Sequence, residues 1–193
     1  MSDGDPNLVA VLAGIWATLE RAKADAKHAW RYPAFCTMTA DGWPTARTVG
    51  LREVLRDTGH LAIHTDVRSA KIEELLAEPK CSLMFYNART QEQLRVAGAA
   101  TIRASDEAVE VWASLPVHQH HNYSVEPAPG TEISTWNGYT HGTDPATISG
   151  HFRVIDIAVQ HMDWIRLDRP VEGIGHKRAA FDVKAGRARW LVP

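Results

Sequence analysis

Residues 44–71, PTARTVGLREVLRDTGHLAIHTDVRSAK, decide the fold class, because strand, turn, strand and helix signals follow one another there. Residues 44–55 are predicted to form a strand that ends at the turn 57–59. Residues 60–65 alternate apolar with polar or small side chains, which is typical of a half-buried strand. Apolar residues then recur at helical spacing over 69–77. This stretch therefore predicts two strands followed by a short helix.

The flanking sequence continues the same pattern. Helical spacing predicts an N-terminal amphipathic helix over residues 6–28 and a second connecting helix over 105–115, with Ser105 as its cap. Further strands are predicted at residues 34–39, 81–86, 93–103, 151–168 and 177–192. Residues 116–150 are rich in His, Pro, Gly, Ser and Thr and are predicted to form a long loop. About seven strands with short turns favour a small antiparallel barrel over an alternating fold with a parallel sheet.

Composition limits the class of protein. With 193 residues, 45% apolar and 23% charged, we expect a single domain over residues 1–193. A formal charge of -2 gives no global positive field for nucleic acid or an anionic membrane. The apolar stretch 8–19 is too short and lacks the basic flank of a signal peptide or spanning helix, so a cytoplasmic location is expected. Cys36 and Cys81 lack a CxxC partner and are predicted to be buried, reduced thiols.

Polar residues gather around the start of the helix predicted at 69–77. They are Arg47, Arg52, His64, Thr65, Ser69 and Lys71. Ser69 would cap the helix, Lys71 would lie in its first turn, and Arg47 could reach in from the neighbouring strand. Helix amides, a hydroxyl and one or two cations can match a phosphate at close range. Taken singly, Ser69 is better explained as a simple cap, and Lys71 and Arg47 as solvated charges, but the convergence of these residues favours an anion site.

Three motifs extend this cluster, ARTVGLR at 46–52, IHTDVRSAK at 63–71 and EQLRVAG at 92–98. In order and spacing over roughly 34–104, they closely resemble R-x-V-x-x-[KR], [YH]-T-x-x-x-S-x-K and Q-[VL]-R-[IV]-x-G of the pyridoxamine 5'-phosphate oxidase-like family of FMN-binding split barrels. Trp164, an H-x-R motif from His176 to Arg178, and a final L-x-P at 191–193 also resemble that family. The resemblance implies a mainly β fold, an antiparallel split β-barrel with Greek-key topology, an N-terminal helix and short connecting helices.

The resemblance also implies FMN as cofactor and a homodimer with FMN at its interface. The residues that it assigns to the cofactor are Arg47, Val49, Arg52, His64, Thr65, Ser69, Lys71, Gln93, Trp164 and Arg178. Arg47, Ser69 and Lys71 would hold the phosphate and ribityl end, with His64 and Thr65 beside them.

Gln93 and Arg52 would reach the flavin side, and Trp164 and Arg178 would act on FMN bound mainly by the other subunit. His176 is the best candidate for a catalytic acid or base. Two alternatives stay open, namely that Trp164 is a core residue and that Gln93 bridges a sheet edge.

Departures from the family pattern bear on the substrate. Ala70 stands where many members have a basic residue in the phosphate loop, although Arg68 is nearby. Leu115 and Ile174 stand where the resemblance places two arginines of the vitamin substrate site, so that His176 alone remains there. A site without these arginines would bind a second phosphate poorly. We therefore expect a small-molecule substrate other than pyridoxamine phosphate.

His118, His120 and His121, with His141 and His151 downstream, suggest a metal or haem site, but their spacing has no fixed ligand geometry. A solvated loop is the favoured interpretation, and no metal is predicted. The leading hypothesis is an FMN-dependent oxidoreductase. The alternative is a non-catalytic FMN or haem carrier, since some split-barrel relatives bind haem.

Overall fold

The computed structural model describes residues 6–169 and 175–193. Its helices are α1 (Pro6–Ala24), α2 (Ala70–Ala77), α3 (Ser105–Ser114), α4 (Val117–His120) and α5 (Pro145–His151), and a 3₁₀ turn covers His121–Tyr123. Its strands are β1 (Ala34–Met38), β2 (Pro44–Thr48), β3 (Leu51–Leu55), β4 (His60–Asp66), β5 (Lys80–Asn87), β6 (Glu92–Ile102), β7 (Val125–Glu126), β8 (Thr140–His141), β9 (Phe152–Arg166), β10 (Lys177–Asp182) and β11 (Arg187–Leu191). None of the helices in these two ranges is long and apolar enough to cross a membrane.

Nine of the described strands form one antiparallel sheet. Seven follow the order β11-β10-β9-β6-β5-β1-β2, while β3 joins through β4, which pairs with β9. The 15-residue strand β9 connects the two parts of the sheet, because its first half pairs with β4 and its last residues pair with β10. This arrangement is an antiparallel split barrel, mainly β with an N-terminal helix and short connecting helices, and it confirms the predicted fold class.

Two hydrophobic clusters lie on opposite faces of β4. Ile15 and Leu19 of α1 pack into the main core, together with Leu61 of β4. Ala62 points to the other face, where it packs with Phe152 in a smaller cluster beneath α3, because successive side chains of a strand alternate between faces. The end of β4 therefore lies between the barrel interior and the helical layer.

The strand predicted over residues 44–55 is in fact two strands with different partners. β2 pairs with β1, whereas β3 pairs with β4. Between them, the Val49 amide donates to Pro33 O at 3.0 Å and the Leu51 amide donates to Arg31 O at 3.0 Å. These bonds to the segment before β1 allow the chain to change partners, which local alternation cannot reveal.

The strand predicted over residues 177–192 is likewise a hairpin, formed by β10 and β11. Gly186 adopts φ 62° in its turn, a conformation that glycine reaches without steric cost. The N-terminal helix also differs from the prediction over 6–28, because it ends at Ala24. There, Asp25 Oδ1 accepts a hydrogen bond from the Lys27 amide at 2.8 Å and turns the chain.

The prediction of a long loop over residues 116–150 is wrong, because this stretch contains α4, the β7-β8 hairpin and most of α5. Asp144 caps α5 by accepting from the Thr147 amide at 3.0 Å, and Pro145 is its first residue. The dipeptide Asp144-Pro145 is a helix start signal that the polar composition of this stretch obscures. At α3, Ser105 is the first helical residue, and Ala104 takes the cap position predicted for Ser105.

Both cysteines are free thiols, as predicted, and they lie on the adjacent strands β1 and β5. Cys81 is buried on β5, and this burial raises the pKa of its thiol to about 12. Cys36 on β1 is only half-buried, so the prediction of burial is wrong for that residue. It points to the outer face of the sheet, where it lines a cavity with Met84.

Gly98 lies at an irregularity in the pairing of β6 with β9, where backbones approach closely. A Cβ at this position would lie 2.2 Å from Ala158 O. We therefore expect Gly98→Ala to lower the free energy of unfolding by about 1–3 kcal/mol, because the backbone must shift. Urea denaturation measures this change. Gly14→Ala on α1, where nothing lies within 4 Å of the new Cβ, is the control, and equal effects of the two changes would contradict the expectation.

Candidate cofactor-binding site

A polar cluster lies where β4 ends and α2 begins. Lys71, in the first turn of α2, donates from Nζ to Thr65 Oγ1 at 2.9 Å and to Ser69 Oγ at 2.7 Å. The two hydroxyl oxygens lie 3.1 Å apart, and both residues are buried. An ammonium group has three protons, so one N–H of Lys71 remains for a ligand.

Arg47 reaches the same region from β2. Its guanidinium donates to Thr37 Oγ1 on β1 and to Glu74 Oε2 on α2, the latter at 2.9 Å. The pKa of Lys71 is lowered, first by burial and next by the positive charge of Arg47, which shows that the two cations repel each other. A phosphate would relieve that repulsion and accept hydrogen bonds from both groups. These residues therefore fit the phosphate end of FMN.

Two details of this cluster differ from the sequence prediction. Ser69 is at the cap position of α2, but its hydroxyl makes no capping bond and donates instead to Asp66 O at 2.7 Å. Arg68 donates to both carboxylate oxygens of Asp66 and to Glu126 Oε1 at 2.9 Å. Arg68 thus anchors β7, and it does not replace the basic residue that is absent at position 70.

His64 and Arg52 form a second part of the site. Both ring nitrogens of His64 are buried without a hydrogen-bond partner among the described residues, and its ring packs edge-on against Phe152. Burial, followed by the positive charge of Arg52, lowers the pKa of His64 to about 4. The Arg52 side chain forms no hydrogen bond or ion pair with the residues that the structure describes. Both groups therefore retain hydrogen-bonding capacity for a polar ligand such as the ribityl chain.

The lowered pKa of His64 makes stability depend on pH. The unfolded chain binds this proton near pH 6.5, whereas the folded protein binds it only near pH 4, so the free energy of unfolding falls as pH falls through this window. We expect His64 to account for about 2 kcal/mol of the loss between pH 7.5 and pH 5. Urea denaturation at both pH values, in the wild type and His64→Leu, measures this share. An equal loss in both proteins would contradict the expectation.

Val49 and Gln93 lie outside these two groups. Val49 is 8% exposed, and its side chain belongs to the main core, while its amide donates to Pro33 O. Gln93 is on β6, which lies between β5 and β9. The alternative that Gln93 bridges a sheet edge is therefore wrong.

Trp164, His176 and Arg178 line a cavity of about 730 Å³ between α1 and the ends of β9, β10 and β11. Trp164 is 4% exposed and donates from its indole nitrogen to Glu92 Oε1 at 2.5 Å. It is a core residue whose edge lines the cavity. Arg178 donates to Asp163 from Nε at 3.1 Å and from its terminal nitrogen at 2.8 Å, and these bonds lower the pKa of Asp163.

One chain does not bring all the predicted site residues together. Gln93 and Arg178 flank Ile165 of β9, whereas Thr65 pairs with Arg153 near the start of that strand. Strand residues rise ~3.3 Å each, so these positions lie roughly 40 Å apart along β9. Arg52 lies beside His64, at the Thr65 end of β9. The prediction placed Arg52 together with Gln93 on the flavin side, and the structure does not bring these two residues together in one chain.

The structure describes one of the two positions where the resemblance places substrate arginines. Leu115 follows α3 and packs against the smaller hydrophobic cluster, so it presents no charge. Ile174 lies outside the described residues. His176 lines the cavity that contains the edge of Trp164.

The histidines of the stretch 116–150 are more ordered than a solvated loop. His120 stacks on Trp112 with ring centroids 3.9 Å apart, and His121 stacks on His141 at 3.8 Å. His141 Nδ1 also lies 2.8 Å from Ser124 Oγ. In the described part of the chain, no three His, Cys, Asp or Glu side chains are placed to share a metal ion.

Sequence reasoning does not find Thr37 and Glu74, the two residues that hold Arg47. A signal for each is present in the spacing. Glu74 follows Lys71 by three positions on a predicted helix, so both lie on one face. Thr37 follows the buried Phe35 by two positions on a strand and shares its inward direction.

The structure is a split barrel with a cationic cluster at the start of α2, and comparisons with known proteins point to the same class. A family profile described as "Pyridoxamine 5'-phosphate oxidase, FMN-binding domain" matches residues 14–104. A pyridoxine/pyridoxamine 5'-phosphate oxidase from Alkalilimnicola ehrlichii is 27% identical over 154 residues, which cover 79% of this chain and 71% of the relative. Other curated oxidases of this kind are 31–37% identical but match over 34–48% of their own length, so the chain matches less than half of each.

Solved structures show the same fold. A pyridoxamine 5'-phosphate oxidase-related, FMN-binding protein from Nostoc punctiforme is similar with a TM-score of 0.74 and 23% identity, over 93% of this chain and 96% of that one. PhzG from Burkholderia lata, solved with tetrahydrophenazine-1-carboxylic acid, has a TM-score of 0.70 and 16% identity, over 99% and 95% of the two chains. Residues 14–104, slightly less than half of the chain, are thus similar to the FMN-binding domain of the pyridoxamine 5'-phosphate oxidase family, and the solved structures show the split-barrel fold. The matched stretch 14–104 contains Arg47 and Lys71 but neither Trp164 nor Arg178.

Proposed function

We propose that the protein is a homodimeric FMN-dependent oxidoreductase whose small-molecule substrate is not pyridoxamine phosphate. The observation that carries this proposal is the position of Lys71 beside the hydroxyl groups of Thr65 and Ser69, within the stretch that matches an FMN-binding domain. When bound, FMN would supply the electron and hydride transfer. The chain itself then needs only to bind and orient the cofactor and the substrate.

Each group of residues has a distinct part in the proposal. Lys71, Arg47, Thr65 and Ser69 bind the phosphate. Because His64 is neutral at physiological pH, it can form a hydrogen bond with a hydroxyl group of the ligand. It does not attract the phosphate as the cations Lys71 and Arg47 do. At the other end of β9, Arg178 acts on the cofactor of the second subunit, and His176 is the candidate that holds or moves a proton.

Two features of the structure support the homodimer. Arg178 and the Lys71 cluster lie at opposite ends of β9, so a cofactor that contacts both is more easily held by two chains than by one. The outer face of the sheet also exposes Met84 (39%) and Tyr86 (45%) and forms a cavity of about 720 Å³ that includes Ala97. A second copy docked there would cover this apolar surface and place Arg178 at the interface.

The proposal is tested on the purified protein. We expect an absorption spectrum of bound flavin after incubation with FMN, a dimer in sedimentation equilibrium, and tighter binding of FMN than of riboflavin. Reduction by a nicotinamide followed by reoxidation with a second substrate would identify an oxidoreductase. Bound flavin that does not turn over would instead support a carrier, and a haem spectrum without flavin binding would overturn the assignment of FMN.

Two further expectations remain part of the proposal. We propose that residues 1–193 form a single domain, because the main core includes side chains from both α1 and β10. A cytoplasmic location is supported by the two free thiols, Cys36 and Cys81, which are usual in a reducing compartment.

A further inference from the structure

We propose that Glu74 and Thr37 are positioning residues that fix Arg47 for the FMN phosphate. This inference rests on the proposed function, since it concerns how the same site binds its cofactor. Neither residue belongs to the motifs that identify the family, and neither would touch the phosphate in the proposed arrangement.

The three side chains form a closed triangle of hydrogen bonds. Arg47 donates to Thr37 Oγ1 and to Glu74 Oε2 at 2.9 Å, and Thr37 donates to the same Glu74 oxygen at 2.5 Å. Thr37 is 3% exposed, and the Glu74 side chain is 11% exposed. Each buried polar atom of the triangle is thus satisfied by another member, which fixes the guanidinium in one orientation.

The arrangement leaves Arg47 able to bind an anion. A guanidinium has five N–H donors, and the triangle uses one on each terminal nitrogen. Three N–H groups remain, one on Nε and one on each terminal nitrogen, and are available to a phosphate. Because the guanidinium is already oriented, less side-chain entropy is lost when the ligand binds.

The composition of the cluster makes this orientation important. Position 70 carries alanine, and Arg68 is engaged with Asp66 and Glu126. Of the cations described around Ser69, Arg47 and Lys71 therefore remain for the phosphate. If the Arg47 side chain were free to change its orientation, Lys71 would have to neutralise most of the negative charge of the phosphate.

A carboxylate beside an anion site could also compete with the phosphate for Arg47. The two roles predict opposite effects of Glu74→Ala. If Glu74 positions Arg47, its loss weakens FMN binding, whereas the loss of a competitor strengthens it. The satisfied hydrogen bond from Thr37 to Glu74 favours positioning, because a competitor needs no such bond.

The experiment compares dissociation constants for FMN and for riboflavin in the full-length apoprotein by fluorescence titration. We expect Glu74→Ala to weaken FMN binding about 10- to 20-fold, the low end of the effect seen for residues that orient metal ligands, and to leave riboflavin binding unchanged. Glu74→Gln should stay within about twofold of the wild type, because its amide oxygen still accepts from Thr37 and Arg47. Glu73→Ala is the matched control, since Glu73 is the exposed neighbour on the same helix.

Wild-type or tighter FMN binding by Glu74→Ala would overturn the inference. If that variant does not fold, Thr37→Val decides, because it keeps the side-chain shape and is expected to weaken FMN selectively; no selective loss would overturn the inference as well. In an Arg47→Ala background, Glu74→Ala should have no further effect. If Arg47→Ala itself leaves the preference for FMN over riboflavin intact, the phosphate assignment fails, and with it the proposed function.

Discussion

Alanine at both Arg47 and Lys71 is expected to weaken FMN binding by roughly two to four orders of magnitude and to leave riboflavin binding nearly unchanged. Each lost hydrogen bond to a charged group costs about 1.5–3 kcal/mol, and every 1.4 kcal/mol corresponds to about a tenfold change in affinity. Riboflavin lacks the phosphate, so it has no partner for these two cations. The measurement is a fluorescence titration of the apoprotein with each ligand.

The control for this variant must remove a cation without touching the cluster. Lys80 is suitable, because its side chain is 83% exposed and its carboxylate partner, Glu78, is a surface residue. Lys80→Ala should bind both ligands as the wild type does. Equal losses of FMN and riboflavin binding in the double variant would indicate general damage to the barrel, and the phosphate assignment would then be wrong.

We also expect the FMN-loaded protein to oxidise pyridoxamine phosphate at least two orders of magnitude less efficiently than a dedicated vitamin oxidase. The resemblance places substrate arginines at positions 115 and 174, where this chain has Leu115 and Ile174. Two missing charged hydrogen bonds to one phosphate correspond to roughly 3–6 kcal/mol, or two to four decades of affinity. His176 cannot supply both bonds.

The assay follows pyridoxal phosphate formation in air at equal flavin loading, with a dedicated vitamin oxidase as positive control. Turnover comparable to that enzyme would show that other cations serve the substrate phosphate. Arg21, Arg166 and Lys177 are the first candidates, since they line the cavity with His176. Their replacement by alanine would then identify the residue that the resemblance does not include.

The part of the site formed by residues close in sequence was predictable. Thr65, Ser69 and Lys71 lie within seven positions on a strand end and a helix start, so local geometry alone brings them together. The prediction that Arg47 would join them needed one additional step, the pairing of neighbouring strands. These residues do converge in the structure.

Features that depend on long-range pairing were not predictable. The break between β2 and β3 exists because Val49 and Leu51 bond to residues before β1, and no local periodicity records such contacts. The role of Glu74 depends on which face of α2 meets β1. Similarly, the separation of Gln93 from Arg52 follows from the register of β9 with its partners.

The length of β9 has a consequence for communication within the proposed dimer. Its first residues pair with the strand that carries Thr65, and its last residues pair with the strand that carries Arg178. If the proposed dimer forms, one β9 strand would therefore lie beside the phosphate of one flavin and beside the ring of the other. A displacement of this strand would then alter both cofactor environments at once, which would couple the two sites.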